Sequence, residues 1–203
     1  FVNRLSRGTT LNSDGEEHDQ RRKLLAHRML PRALRAMSAV VQAQADDVAA
    51  AAVRREYVDG VADLAKALPL AVVPDLLGWP EDGRAHLLRW GAATFDALGP
   101  PNRYSISAVP ASLAMMGFSK WVVRRRLVAE GSMGHDILVA GDAGRLPYSE
   151  CSALMIDYLA PSLDTTISGI ASALALFAAH PDQWRALRAE PALLSNAVNE
   201  VLR

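Results

Sequence analysis

Several features that would indicate a particular fold or binding partner are scarce or absent in this sequence. Its 203 residues include one cysteine, Cys151, so no internal disulfide can form and a cytoplasmic location is expected. Only 6% of the residues are aromatic, and stretches of Val and Ile that alternate with polar residues are scarce, which argues against a sheet. The 22 basic and 22 acidic residues balance, so no net charge would attract nucleic acid.

Several motifs are also absent from the sequence. It contains no phosphate-binding glycine loop, no helix with paired zinc-binding histidines, no cysteine-pair metal motif and no serine nucleophile elbow. The first ten residues, FVNRLSRGTT, have no apolar run, so no signal peptide is expected, and they lack an initiating Met. We therefore expect a piece of a longer protein.

The residues that are present predict an all-α fold. Half of them are hydrophobic, and Ala, Leu and Arg are frequent. Helix starts are expected at Ser13–Asp14 and at three prolines, Pro31, Pro181 and Pro191, and Gly131 is expected to end a helix. The exception is EYVDGV, residues 56–61, which resembles a short strand. We expect one domain over residues 1–203.

The stretch LMIDYLAPSLDTTISGIASALALF, residues 154–177, has the apolar spacing of a long helix, interrupted by polar residues. Pro161 should kink or open this helix, because it cannot donate to the carbonyl of Asp157. Asp164 and Thr165 would then lie beside a small cavity, where they could pass protons. Alternatively, Pro161 ends one helix and Ser162 or Asp164 caps the next.

This stretch is also long enough to span a bilayer. However, Asp157 and Asp164 would both lie in the hydrocarbon, at a cost of roughly 2.5–3.5 kcal/mol each. A core helix is therefore expected, with no membrane partner.

Two further pairs have helical spacing. His18 and Arg22 lie one turn apart and could clamp a dianionic group, although a salt-bridged surface helix explains them equally simply. Glu200 and Arg203, in NEVLR, are three residues apart, a pair that occurs in many exposed helices.

Taken in order along the chain, these features resemble the cytochrome P450 family of haem-thiolate monooxygenases, in its soluble bacterial branch. DGEEHDQRRKLLAHRMLPRAL is similar to the family's C-helix region, and SLDTT to the oxygen-activation motif of its long central I helix. HPDQWRALRAEPALLSNAVNEVLR is similar to the J and K helices, ending on the Glu-x-x-Arg pair.

The resemblance implies a role for each motif. His18 and Arg22 would bind the propionates of haem b, and Asp164 and Thr165 would guide protons during oxygen activation. Glu200 and Arg203 would be a structural core pair. Leu159, Leu163 and Ser162 would line the substrate pocket, together with residues 87–118, which include Phe95, Tyr104 and Met115. Electrons would come indirectly from NAD(P)H, through a reductase and a ferredoxin-type partner.

The chain also departs from the family pattern. Pro161 and Ser162 stand where the family often has Ala-Gly or Gly-Gly, and the haem-ligand cysteine is expected beyond Arg203. Cys151 lies upstream of the I-helix motif and lacks the ligand-loop context. The fold is therefore expected to be incomplete at both ends and the chain alone to be inactive.

The substrate and the partner surface are less defined by the sequence. A small apolar or aromatic substrate is expected. A cluster of cations could attract an acidic ferredoxin, although solvated side chains would look the same: Arg21, Lys23, Arg32 and Arg35. The competing interpretation is an all-helical ligand-binding or regulatory protein without redox chemistry.

Overall fold

A computed structural model describes residues 8–98 and 100–203 of the chain. Nine α-helices occur in this part, with no strand among the residues described. They are α1 Gly15–Ala26, α2 Pro31–Val53, α3 Ala67–Leu77, α4 Leu87–Leu98, α5 Arg103–Arg125, α6 Met133–Asp142, α7 Cys151–Ala179, α8 Pro181–Ala189 and α9 Leu194–Val201. Short 3₁₀ turns join several of them, at His27–Met29, Glu81–His86, Tyr148–Glu150 and Pro191–Leu193. The all-α prediction is confirmed.

Helix starts follow the local sequence. Pro31 and Pro181 occupy the first turns of α2 and α8, where the missing proline N–H costs nothing. Asn102 caps α5 by accepting from the amides of Tyr104 and Ser105, and the Ser105 hydroxyl accepts from the Asn102 amide.

Two local predictions are wrong. The strand-like segment 56–61 contains no strand: Asp59 caps a π-helical turn, Gly60–Ala65, by accepting from the amides of Val61 and Ala62. Gly131 does not end the preceding helix. Arg126 does so instead, in a left-handed conformation with φ 55°, and its amide bonds back to the Val123 carbonyl.

Helix α7 is the centre of the packing. It contacts α3, α4, α5 and α6 along its first half, and α8 and α9 also contact it. The first half supplies several fully buried side chains to the core, namely Cys151, Leu154, Met155, Leu159 and Leu163. Because these residues recur mainly at steps of three and four, they share one face of α7. A functional site can therefore use only the other faces of this helix.

Three aromatic rings, those of Trp79, Trp90 and Phe118, pack together in another part of the core. The Phe118 ring lies 5.5 Å from that of Trp79 and 5.3 Å from that of Trp90, centroid to centroid. These distances are typical of favourable tilted aromatic packing. The group fixes α4 and α5 against each other.

Two helices, Arg103–Arg125 and Tyr148–Ala179, are long and apolar enough to cross a membrane by length and composition alone. Core helices pass the same test, and buried residues of both belong to the hydrophobic core. This feature is weak support for a membrane location.

Candidate active site

The helix α7 continues without interruption through Pro161, from Cys151 to Ala179. The alternative of two helices that meet at Pro161 is therefore wrong. The Ser162 hydroxyl donates to the Tyr158 carbonyl at 2.6 Å, and the Thr165 hydroxyl donates to the Pro161 carbonyl at 2.8 Å. Each hydroxyl thus donates to the carbonyl four residues earlier, which is a common pattern of serine and threonine in helices.

A surface cavity of about 540 Å³ lies between α7 and the start of α1. His18 of α1 lines it on one side, and Asp157 and Pro161 of α7 line it on the other. The remaining wall comes from the N-terminal segment and the first residue of α1: Thr10, Leu11, Ser13, Asp14 and Gly15. The cavity therefore lies between one predicted binding residue, His18, and the proline that precedes the predicted oxygen-activation motif.

Asp157 is the charged residue that sequence reasoning missed. Its Oδ2 accepts a hydrogen bond of 2.7 Å from the backbone amide of Thr10, 147 residues earlier in the chain. Burial raises the pKa of the Asp157 carboxyl, although the Thr10 and Leu11 amides and the charge of Arg21 oppose that shift. An acid inside an apolar helix, seven residues before Asp164, was the available signal.

His18 and Arg22 lie on α1, one turn apart, as predicted. The His18 side chain is 37% exposed and its Nδ1 lies 3.3 Å from the Asp19 carboxylate. Arg22 is exposed and makes no hydrogen bond or ion pair with any residue that the structure describes. An exposed cation that forms no ion pair with the described residues, one turn from a half-buried histidine, is suited to an anionic group.

Asp164 and Thr165 follow Pro161 on the next turn of α7, and both are exposed. They are not part of the cavity wall at His18. Because Asp157, Pro161, Asp164 and Thr165 recur at three- and four-residue steps, they form one stripe along α7 that starts in that cavity. The structure therefore places His18 beside the start of this stripe, at Asp157 and Pro161. Asp164 lies further along α7, outside the cavity wall.

Two residues predicted for the substrate pocket lie elsewhere. Leu159 and Leu163 are 0% and 2% exposed and belong to the hydrophobic core, which corrects their prediction as pocket residues. The reason is register: α7 turns them toward α3, α4 and α5, whereas Asp157 and Pro161 face the cavity. Ser162 is half-buried and engaged with the Tyr158 carbonyl.

The other predicted pocket residues differ in exposure. Met115 is 1% exposed and belongs to the core, which corrects its prediction as a pocket residue. Phe95 and Tyr104 are exposed on α4 and α5.

Glu200 and Arg203 form the expected pair, with 3.3 Å between Arg203 Nη1 and Glu200 Oε1. Both side chains are more than two-thirds exposed, so the pair holds no core together within the described residues. An exposed pair of this kind contributes only about 0.2–1 kcal/mol.

Arg21 is not part of an exposed cationic surface. It is 8% exposed and its guanidinium bonds to Glu150 at 2.8 Å and to Glu17 at 3.2 Å. This corrects its prediction as a docking residue. Lys23, Arg32 and Arg35 are exposed, as that prediction requires.

Cys151 is buried at the start of α7, where its thiol donates to the Ile137 carbonyl at 3.7 Å. Burial, with the nearby charge of Asp142, raises the pKa of the Cys151 thiol to about 11. The thiolate is the form of cysteine that binds metals, so Cys151 does not suit that role. Within residues 8–98 and 100–203, no group of three His, Cys, Asp or Glu could hold a metal ion.

The chain is similar to a known family of proteins over nearly its whole length. It is 34% identical to the cytochrome P450 CYP199A2 of Rhodopseudomonas palustris, over 95% of this chain and 47% of that protein. It is 32% identical to the cytochrome P450 monooxygenase PikC of Streptomyces venezuelae, over 95% of this chain and 46% of PikC. The chain belongs to the cytochrome P450 family. No protein-family model matches it.

Solved P450 structures agree with this conclusion. The crystal structure of the myxobacterial cytochrome P450 CYP267B1 in complex with myristic acid superposes with a TM-score of 0.87 at 26% identity. That match covers 98% of this chain and 49% of the other. The chain thus spans about half the length of the curated relatives it matches, and its P450 relatives imply a haem cofactor.

The residues at the cavity fit one edge of a haem. A propionate is a carboxylate, and Arg22, which has no ion-pair partner among the described residues, and half-buried His18 offer two donors one helical turn apart. The cavity between His18 and Pro161 supplies space on the α7 side. The iron ligand does not fit Cys151, because that thiol is buried in the core and its pKa is raised.

Proposed function

We propose that the chain forms the part of a haem monooxygenase in which one haem edge and the oxygen-activation helix meet. The cavity lined by His18 and Pro161 carries this proposal, because it lies between α1, which carries the predicted anion-binding pair, and the turn of α7 that precedes the predicted oxygen-activation motif. The P450 relatives support the reaction class. The complete protein, meaning the native polypeptide that carries this chain, would insert one oxygen atom of O2 into a small apolar or aromatic substrate.

In this proposal His18 and Arg22 bind the haem propionates. The haem, when bound and held by a cysteine thiolate outside this chain, supplies the oxygen chemistry. Because the iron ligand comes from elsewhere, the 203-residue chain alone is inactive. The complete protein would be cytoplasmic and would receive electrons that originate in NAD(P)H, through a reductase and a ferredoxin-type partner.

Asp164 and Thr165 have the proton-handling role. Both residues are exposed on the stripe of α7 that continues from the cavity, so water can reach the Asp164 carboxylate. The Thr165 hydroxyl donates to the Pro161 carbonyl, and its oxygen can still accept a hydrogen bond. The acid and the hydroxyl are adjacent, which allows them to hand a proton to a group bound beside Pro161. Glu200 and Arg203 would act structurally, through contacts outside the described residues.

The test compares variants of the complete protein in turnover and in coupling of electrons to product. We expect Asp164→Asn to slow turnover by about tenfold or more, since positioned acid–base groups contribute about 10²–10⁴-fold. We expect Thr165→Ala to divert electrons to hydrogen peroxide. Ser172→Ala, an exposed position on the same helix, is the matched control. Unchanged turnover and coupling in both variants would refute the proton-handling role.

A further inference from the structure

The segment Gly8–Ser13 crosses the cavity as one of its walls, and two side chains near the start of α7 hold it there. Asp157 accepts the Thr10 amide at 2.7 Å. Seven residues earlier, Glu150 packs directly beneath Gly8, where an added Cβ would come within 2.7 Å of the Glu150 Cβ. Gly8 has a φ of 91°, which a residue with a side chain rarely adopts.

The segment is also folded on itself. The Ser13 hydroxyl donates to the Thr10 carbonyl at 2.9 Å, and the Ser13 amide donates to the same carbonyl at 3.3 Å. Thr10 is therefore bonded on both sides, by its amide to α7 and by its carbonyl to the residue that leads into α1. A displacement of Thr10 would disturb the turn that places His18.

Glu150 is itself held in place. The buried guanidinium of Arg21 bonds to it at 2.8 Å, so the contact at Gly8 has a rigid base. On the cavity side, the segment is attached to α7 through the Asp157 carboxylate, which accepts the Thr10 amide. Other charged or titratable groups around that carboxylate are Arg21, which lowers the pKa of Asp157, Tyr158 beside it in α7, and His18 and Asp14 in the cavity wall.

A half-buried carboxylate inside an apolar helix is costly unless hydrogen bonds compensate for its lost hydration. Asp157 has Pro161 four residues later, which has no N–H to donate to the Asp157 carbonyl. A small apolar residue at position 157 would pack there at less cost. The carboxylate is therefore explained by its bond to the segment rather than by the stability of α7.

We propose that Asp157 is a positioning residue, whose carboxylate fixes the segment Gly8–Ser13 as the wall of the cavity at His18 and Pro161. The consequence for substrate rests on the proposed function: the wall sets the space that a small molecule can occupy beside Pro161. The bond to Thr10 stands on the geometry of this chain alone. Asp157 itself does not take part in the oxygen chemistry.

The first test measures amide hydrogen exchange in the unmodified complete protein and does not depend on its activity. We expect the Thr10 amide to be protected. Exchange as fast as in an unstructured peptide would overturn the proposal without any variant.

Variants at position 157 then test whether the carboxylate itself, rather than the rest of α7, protects the Thr10 amide. Because a hydrogen bond to a charged group is stronger than a neutral one, Asp157→Ala should speed exchange at Thr10 by about 10- to 100-fold. Asp157→Asn keeps one acceptor oxygen and should restore part of the protection. The matched control is Asp136→Asn, which removes another half-buried acid, paired with Arg28, and should leave exchange at Thr10 unchanged. Equal exchange at Thr10 in Asp157→Ala and in the unmodified protein would overturn the proposal.

A second measurement tests the effect on substrate in the haem-loaded complete protein. Asp157→Ala should raise KM by about tenfold while kcat falls less, because the cavity wall contributes to binding more than to the chemical step. Faster exchange at Thr10 with unchanged KM would overturn the positioning role. A complete protein that binds no haem would refute the proposed function, while the exchange result would still decide the bond to Thr10.

Discussion

Gly83 is a residue at which the core has no room for a side chain. A Cβ at this position would lie 2.5 Å from Phe118 Cε1 and 2.6 Å from Trp79 Nε1. Both neighbours are rings packed against each other, so neither can move away as the end of a flexible chain could. The backbone at Gly83 therefore packs closely against these rings, and this contact joins the turn before α4 to α5.

We therefore expect Gly83→Ala to lower the free energy of unfolding by about 1–3 kcal/mol, the usual cost of overpacking. Gly117→Ala is the matched control: it lies inside α5 with nothing within 4 Å of the added Cβ. There the substitution should stabilise by about 0.5–1 kcal/mol, because alanine loses less conformational entropy in a helix. Urea unfolding of the two variants measures the difference, and a more stable Gly83→Ala than Gly117→Ala would contradict this packing.

Helix α7 differs between its two halves. Its buried residues all lie between Cys151 and Leu163, and none from Asp164 to Ala179 is buried within the described chain. Helical stability in proteins comes mainly from tertiary packing of a face. The two halves should therefore differ in local stability.

We expect amides of Leu154–Leu163 in the 203-residue chain to exchange at least tenfold more slowly than those of Ile167–Leu176. Hydrogen exchange resolved by residue measures this difference. Uniform protection along α7 would show that the second half has stability that its packing in the structure does not explain.

A second tie between elements joins the end of α1 to α6. Asp136 Oδ2 accepts from Arg28 Nε at 2.7 Å and lies 3.1 Å from His27 Nε2. Burial raises the pKa of the Asp136 carboxyl, but the bonds and charges of Arg28 and His27 outweigh burial and leave that pKa lowered.

The lowered pKa fixes the direction of the pH effect. The pair stabilises the fold above the ordinary carboxyl pKa of 3.8 and loses that contribution as the pH falls through the lowered value. Asp136→Asn should therefore cost about 0.2–1 kcal/mol at neutral pH and less in acid. Urea unfolding as a function of pH measures it, with Asp182→Asn as the control because its pair with Arg185 is exposed. A cost that grows in acid would contradict the lowered pKa.

The sequence predicted helices best where a residue acts locally. The prolines at 31, 181 and 191 begin helical segments as expected, because their fixed φ suits a first turn. The strand predicted at residues 56–61 is wrong, because the Asp59 carboxylate accepts hydrogen bonds from the amides that follow it and starts a π-helical turn. Strand propensity does not anticipate such a turn. The helix also continues through Pro161, where the hydroxyls of Ser162 and Thr165 donate to the carbonyls of Tyr158 and Pro161.

The site was harder to predict than its helices. His18 and Arg22 could be paired by spacing, but the face that α7 turns to the cavity depends on packing against α3, α4 and α5. That packing buries Leu159 and Leu163 and exposes Asp157 to the N-terminal segment. A bond across 147 residues has no local signal, so the sequence shows Asp157 as an acid inside an apolar helix, but only the structure shows its bond to Thr10.

The whole molecule is a helical P450 chain that spans about half the length of the curated relatives it matches. Large apolar side chains are exposed on several helices outside the core, among them Leu34, Val40, Leu176, Leu194 and Val198. Apolar side chains that are exposed singly are normal on protein surfaces, and only a contiguous apolar patch marks an interaction face.

The haem content of the complete protein and its variants tests the central claim most directly. We expect the unmodified protein to retain haem, and His18→Ala with Arg22→Ala to lose most of it, because two donors to the propionates are removed. The matched control is Lys23→Ala, an exposed cation on the same helix that lies outside the predicted pair of His18 and Arg22, and it should retain haem. Full haem retention in the double variant would contradict the proposed site at α1 and α7.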